Sequence, residues 1–288
     1  MNNQKLIRLI NTAIERIAAY FVIPLEKLAY RNYFDYPFGK QPLADADSYR
    51  KIWQQARQIE YPEIDRFEKD TGHAIDQEWF HDLALLTQVV IKRSDICYQH
   101  GRLLYAELSR YIDQHADQRI TILETGTARG FSALCMAKAL YDQQQPGKII
   151  TFDVLPHNVK MYWNCISDNQ GAQTRAELLK NYRELVNEFI IFHQGDTKKE
   201  LEKIEIPRIH FAFLDGKHTY DYAIYEFNYV SKRQKPGDII FFDDYTPQKF
   251  PGIVKAVDEI CNNHHYGKQI IRISEQRRYA ITQKKHGN

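Results

Sequence analysis

Two short apolar runs in the second half of the chain end in carboxylates. Phe213-Leu214-Asp215-Gly216-Lys217-His218 leaves one run, and Phe241-Phe242-Asp243-Asp244-Tyr245 leaves the other. If the runs are neighbouring parallel strands, their C-terminal ends lie side by side at the crevice where open α/β sheets bind ligands. Three carboxylates then converge, and without a cation one of them would have to take up a proton. A hard divalent ion, Mg²⁺ or another, resolves the repulsion with oxygen ligands. Asp215, Asp243 and Asp244 are therefore candidate metal ligands. A hydroxyl bound to such an ion loses its proton more readily. His218, three residues after Asp215, is the candidate general base, and Lys217 is its substitute. The plainer alternative is that Asp243 and Asp244 cap a turn and His218 is structural.

A second constellation lies upstream. Ile122-Leu123-Glu124-Thr125-Gly126-Thr127-Ala128-Arg129-Gly130-Phe131-Ser132 reads as strand, glycine-bearing turn and helix. The spacing differs from the G-x-G-x-x-G of dinucleotide sites and from a P-loop, because no Gly-Lys-Ser/Thr follows. Gly126, Thr127 and Gly130 would bring backbone close to a ligand. Glu124 could accept from a ligand ammonium, while Ser132 and the helix N-terminus could hold a carboxylate. Asp153 ends the next apolar run and could bind both hydroxyls of a ribose. Gln194-Gly195-Asp196-Thr197 ends the third, where Asp196 could accept the exocyclic amine of an adenine. An amino acid joined to a nucleoside meets all these demands, and in this order they point to S-adenosylmethionine. Each residue alone has a plain structural reading as turn or cap.

These groups need a sheet to hold them. From Ile120 onward, β-branched runs alternate with helical stretches. Strands are predicted at 120–123, 148–152, 189–192, 210–214 and 238–242, with helices near 131–141, 174–185, 220–232 and 253–263. That alternation implies a mostly parallel sheet covered on both faces. Residues 269–273 and 279–282 read as a closing hairpin that supplies one antiparallel strand. The first hundred residues are helical and irregular, with an aromatic stretch (Tyr30, Tyr33, Phe34, Tyr36, Phe38) interrupted by Pro37 and Pro42. Residues 76–111 read as helix, on apolar spacing through Leu83, Leu86, Val90, Leu103, Leu104 and Leu108.

At 288 residues the chain can bury a large core without staples. Lys+Arg 39 against Asp+Glu 37 leaves a formal charge of +2, which argues against a nucleic-acid partner. The four cysteines (Cys97, Cys135, Cys165, Cys261) show no zinc or disulfide spacing, so a cytoplasmic setting is expected. No transmembrane run or signal peptide is evident. Leu6, Ile7, Ile10, Ile14, Ile17 and Phe21 fall at helical spacing with Lys5, Arg8 and Arg16 between them. They suit a helix packed on its own domain or in a homo-oligomer, with peripheral membrane contact as the sharper alternative. The 19 Tyr, 15 Phe and 3 Trp include Tyr220, Tyr222 and Tyr245, which could stack on a substrate ring beside the acidic corner.

The ordered set Glu124-x-Gly126-x-x-x-Gly130, Asp153, Gly195-Asp196, Asp215-Gly-x-His218-x-Tyr220, Pro236-Gly237, Asp243-Asp244 and Pro251-Gly252-x-x-x-Ala256-Val257 resembles class I S-adenosylmethionine-dependent O-methyltransferases of the macrocin O-methyltransferase type. The resemblance covers about residues 101–282. It implies a Rossmann-like α/β fold with a seven-stranded, mostly parallel sheet and an antiparallel C-terminal strand. It further implies methyl transfer to a sugar hydroxyl of a small-molecule acceptor, Mg²⁺ at the three aspartates, and His218 as base. Residues 1–100 would form a helical cap for assembly and substrate cover, and 101–288 the catalytic domain. Catechol-type diol methylation, or a relative that binds cofactor without methyl transfer, are the alternatives. Two positions depart from the pattern. Ala128 replaces a glycine, a change its small size should tolerate, and Asp238 replaces another at an expected solvent edge.

Overall fold

A computed structural model describes residues 36–115 and 118–287; the amphipathic stretch 6–21 and Tyr30, Tyr33 and Phe34 lie outside these. Seven strands form one sheet: β1 (Ile120–Thr125), β2 (Gly147–Asp153), β3 (Ile190–Gln194), β4 (Phe211–Leu214), β5 (Ile239–Phe242), β6 (Tyr266–Ser274) and β7 (Arg277–Lys284). Their order is β3-β2-β1-β4-β5-β7-β6, with β1 to β5 parallel and β7 antiparallel to both neighbours. The order reverses between β1 and β4, and such a switch point opens a crevice at the strand C-termini.

Among the described residues, four helices precede the sheet: α1 (Ala46–Arg57), α2 (Pro62–Thr71), α3 (Gln77–Thr87) and α4 (His100–Asp113). Within it run α5 (Phe131–Asp142), the short α6 (Arg175–Leu178), α7 (Arg183–Phe189), α8 (Thr197–Leu201), α9 (Tyr220–Ser231) and α10 (Pro251–Asn263). Alternation along the strands sorts side chains between two cores. Ile120, Ile122, Phe211, Phe213, Ile239 and Phe241 face a cluster containing Ile64, Phe67, Phe80, Leu83, Leu104 and Phe131. Leu123, Ala212, Leu214, Ile240 and Phe242 face a second cluster with Ala223, Phe227, Val257 and Ile260. The sheet is therefore covered on both sides, as the alternation of elements implies.

Two predicted helices are broken. Residues 76–111 form α3 and α4 with an irregular stretch between them, where the polar run Lys92-Arg93-Ser94-Asp95 interrupts the apolar spacing. Asn164 clamps that stretch, accepting from the Ile91 N–H at 2.9 Å and donating to the Ile91 carbonyl at 3.0 Å. Residues 174–185 divide into α6, a 3₁₀ turn (Lys180–Tyr182) and the start of α7. All four cysteines are free thiols. Among the described residues no helix is long and apolar enough to cross a membrane.

Asp238 does not lie at a solvent edge. It is buried at the N-terminal side of β5, where it accepts from the Tyr111 hydroxyl at 2.7 Å and pairs with Arg208, whose Nη2 is 2.7 Å away. The carboxylate there ties α4 to the sheet.

Candidate active site

The turn after β1 packs directly against the end of β4. Gly126 has φ 90°, and a Cβ on it would lie 2.1 Å from the Asp215 carbonyl oxygen. Only glycine permits that approach, which sets the first turn beside the acidic corner. A cavity of about 580 Å³ opens over this junction, within the range of small-molecule sites. Gly126, Asp153, Asp196, Asp215 and His218 line it, with Phe38, Arg129, Lys217 and Tyr222 completing much of the wall. Gly195 lines an adjoining recess that shares Val154 and Asp196.

Asp153 is positioned by backbone donors. Its oxygens accept from Ala128 at 2.5 Å and Leu155 at 2.7 Å. Ala128 has φ 45°, in the left-handed region, so the strain at this position comes from backbone conformation rather than from side-chain size. The Ala128 carbonyl accepts from Arg175 Nε at 3.0 Å, which fixes the turn from its other side. Asp196 caps α8 and accepts from the Tyr222 hydroxyl at 2.8 Å.

Four further expected cofactor residues, Glu124, Thr127, Gly130 and Ser132, line neither this cavity nor the adjoining recess. Glu124 is fully buried, and its two oxygens accept from Ser132 Oγ and, at 2.5 Å, from Thr151 Oγ1. Thr127 bonds the same Thr151 hydroxyl at 2.5 Å. Burial pushes the Glu124 carboxyl up to about 7, although both hydroxyl bonds oppose the shift. Gly130, with φ 91°, precedes α5. Glu124, Thr127 and Ser132 thus brace the floor beneath the turn.

At the acidic corner the His218 ring is held at both nitrogens. Nε2 is 3.0 Å from Asp215 Oδ1 and Nδ1 is 3.0 Å from Asp244 Oδ2. Burial lowers the imidazole pKa, but the hydrogen bond and charge of Asp215, with Asp244 and Asp243 behind it, raise it to about 9. Burial and the Asp243 charge raise both Asp215 and Asp244. The Phe250 ring meets His218 edge-on at 4.8 Å and keeps the imidazole from swinging out. Asp215, His218 and Asp244 each offer one ligand atom, all within 4.8 Å of one another.

Asp243 faces a different partner. Arg277 Nη2 donates to both its oxygens, at 2.9 and 3.2 Å, and Arg277 Nε donates to the Tyr279 hydroxyl at 3.0 Å. Against the effect of burial, the guanidinium holds Asp243 below the usual carboxylate range. Of the aromatic residues expected at this corner, Tyr222 lines the cavity, while the hydroxyls of Tyr220 and Tyr245 donate to Glu259 and Asp258 on α10.

Arg129, Arg175, Arg277 and Phe250 escape a sequence reading. Arg129 lies inside the glycine turn and carries a visible signal there, a cation flanked by small residues. Arg277 comes from the distant C-terminal hairpin, and nothing local marks it.

Residues 123–245 match a family described as "Methyltransferase domain". No curated protein matches the chain. Among solved structures, the chain is similar to cofactor-bound Rv0187 from MTB, at 15% identity over 80% of this chain and 100% of that one, with a TM-score of 0.53. It is also similar to the O-methyltransferase TomG from Streptomyces achromogenes, involved in tomaymycin synthesis and crystallised with S-adenosylmethionine, at 16% identity over 74% and 92% with a TM-score of 0.52. A third likeness, to the O-methyltransferase NovP, has 17% identity over 68% and 84% with a TM-score of 0.51. The chain therefore has the Rossmann-like fold of class I methyltransferases, and the span matching the methyltransferase-domain family contains every strand-end residue that lines the cavity.

Proposed function

We propose that the protein transfers a methyl group from S-adenosylmethionine to a hydroxyl of a small-molecule acceptor, foremost a sugar of a natural product or glycoconjugate. One observation carries this reading. An imidazole held at both nitrogens by strand-end carboxylates borders the same cavity as Asp153 and Asp196. Once relieved of its proton, that imidazole would be a base beside the wall that would take the nucleoside, as hydroxyl methylation requires.

Asp153 would take the ribose hydroxyls and Asp196 the adenine amine, while Gly126 admits the ligand against bare backbone. Glu124, Thr127, Gly130 and Ser132 would act as the support of that turn, and Gly195 would frame the adenine end. The acidic corner fits a divalent cation, because buried carboxylates with raised pKa values are hard oxygen donors short of positive charge. Asp215 and Asp244 would hold it, joined by Asp243 if Arg277 yields. Bound there, Mg²⁺ would stabilise the alkoxide form of the acceptor and relieve the charge that keeps His218 protonated. His218, its ring backed by Phe250, would take the hydroxyl proton, and the cavity wall would hold donor and acceptor in line. Methyl transfer needs little covalent help from protein, so positioning supplies much of the rate.

Methyl-labelled S-adenosylmethionine, offered with a panel of hexose glycosides and catechols under titrated Mg²⁺, tests the reading. Label should pass to sugars, and EDTA or Asp243→Ala should abolish the transfer. Transfer undiminished under both conditions removes the metal, and preference for catechols moves the acceptor to aromatic diols. Cofactor binding by titration calorimetry without transfer to any acceptor would leave a binding protein.

A further inference from the structure

Arg129 sits in the turn between β1 and α5, lines the cavity, and is 8% exposed. Its Nε donates to the Trp163 carbonyl at 2.6 Å, and its guanidinium lies over the Phe38 ring, 4.4 Å from the centroid. These contacts occupy one of five N–H donors and one face of the cation. No carboxylate among the described residues forms an ion pair with it. Asp168, whose charge reaches it, gives its oxygens to the N–H groups of Trp163 at 2.7 Å and Cys165 at 3.3 Å. Burial accordingly lowers the arginine pKa. A buried cation without an anion is costly. The unused Nη groups form a planar fork that matches a carboxylate. Ser132, the residue expected to hold a carboxylate here, donates instead to Glu124.

We propose that Arg129 is the receptor for a carboxylate of the bound ligand. The assignment rests on the function proposed above and names how that site is selective. Two sources share this chemistry: the amino-acid end of the cofactor, and an acidic acceptor such as a hexuronate. The position of Arg129 in the turn beside Gly126 and Ala128 favours the first.

Titration calorimetry with S-adenosylmethionine and its decarboxylated analogue, on wild type, Arg129→Met and Arg129→Lys, forms one arm. Glucuronate against glucuronamide, with S-adenosylhomocysteine present, forms the other. In the first arm the wild type should prefer the carboxylate form by about 10- to 100-fold, and Arg129→Met should bring the two ligands within about 3-fold. Arg129→Lys keeps the charge without the fork and should retain part of the preference, so it reports even if the methionine variant does not fold. Loss of the glucuronate preference alone assigns the carboxylate to the acceptor. A wild type indifferent in both arms, or variants that keep every preference, overturns the receptor while cofactor binding stands. A wild type that binds neither form of the cofactor overturns the proposed function and the receptor with it.

Discussion

Glu124 is a buried carboxyl whose two partners are hydroxyls, with no cation bonded to it. Its folded pKa of about 7 lies above the ordinary value of 4.5, so the fold holds the proton more tightly than the unfolded chain does. The matching stability is fully present below about pH 4.5 and is lost as pH rises through 7. Glu124→Gln keeps the shape and removes the titration. Its advantage over wild type in urea unfolding should grow from near zero at pH 4.5 to about 3 kcal/mol at pH 8. A gap that stays flat across this range would mean that the carboxyl titrates normally. His218 answers to a different measurement. His218→Gln should cut turnover by about 10²- to 10⁴-fold, the usual worth of a general base. Its affinity for S-adenosylmethionine should stay within a few-fold of wild type, because the ring bonds Asp215 and Asp244 at the cavity rim.

The turn after β1 shows what can be read from sequence and what cannot. Its glycines, Asp153 and the acidic corner were legible because each follows an apolar run, and run ends mark strand ends. The sheet itself was equally legible, since apolar runs alternating with helical stretches imply a mostly parallel sheet covered on both faces. The burden on Ala128 was hidden, because φ 45° is a property of the folded turn and not of the residue type. Ala128→Gly should therefore leave the fold intact and stabilise it by up to about 1 kcal/mol, less the entropy of the freer unfolded chain. Gly126→Ala should do the opposite. Its added methyl meets the Asp215 carbonyl, so β1 and β4 must separate. A loss of more than about 3 kcal/mol in denaturant unfolding, with cofactor binding abolished, is the expected result. The break between α3 and α4 was hidden for another reason. It depends on Asn164, far along the chain, bonding both backbone groups of Ile91. Arg277 reaches Asp243 from β7 in the same long-range way, and local spacing carries no trace of either.

Across the whole molecule, the helices that precede the sheet are not separable from it by burial. Ile64 and Phe67 of α2, and Phe80 and Leu83 of α3, belong to one apolar cluster with Ile122, Phe131 and Phe213. Asp238 adds a polar tie between the same parts, joining Tyr111 of α4 and Arg208 ahead of β4. The boundary expected near residue 100 therefore marks no break in the apolar core among the described residues. Asp238→Ala tests this at long range. It leaves the buried Tyr111 hydroxyl without its acceptor and takes the carboxylate from the part-exposed Arg208, which keeps the Ile209 and Arg233 carbonyls, and should cost about 1–3 kcal/mol. If the described residues fold as one unit, native-state hydrogen exchange should show α2 and β4 losing protection by equal amounts, although α2 does not touch the mutated side chain. Protection that falls in β4 while α2 keeps its own value would make the helical segment an independent folding unit. The shared core around Phe80 and Phe131 would then be an interface between domains.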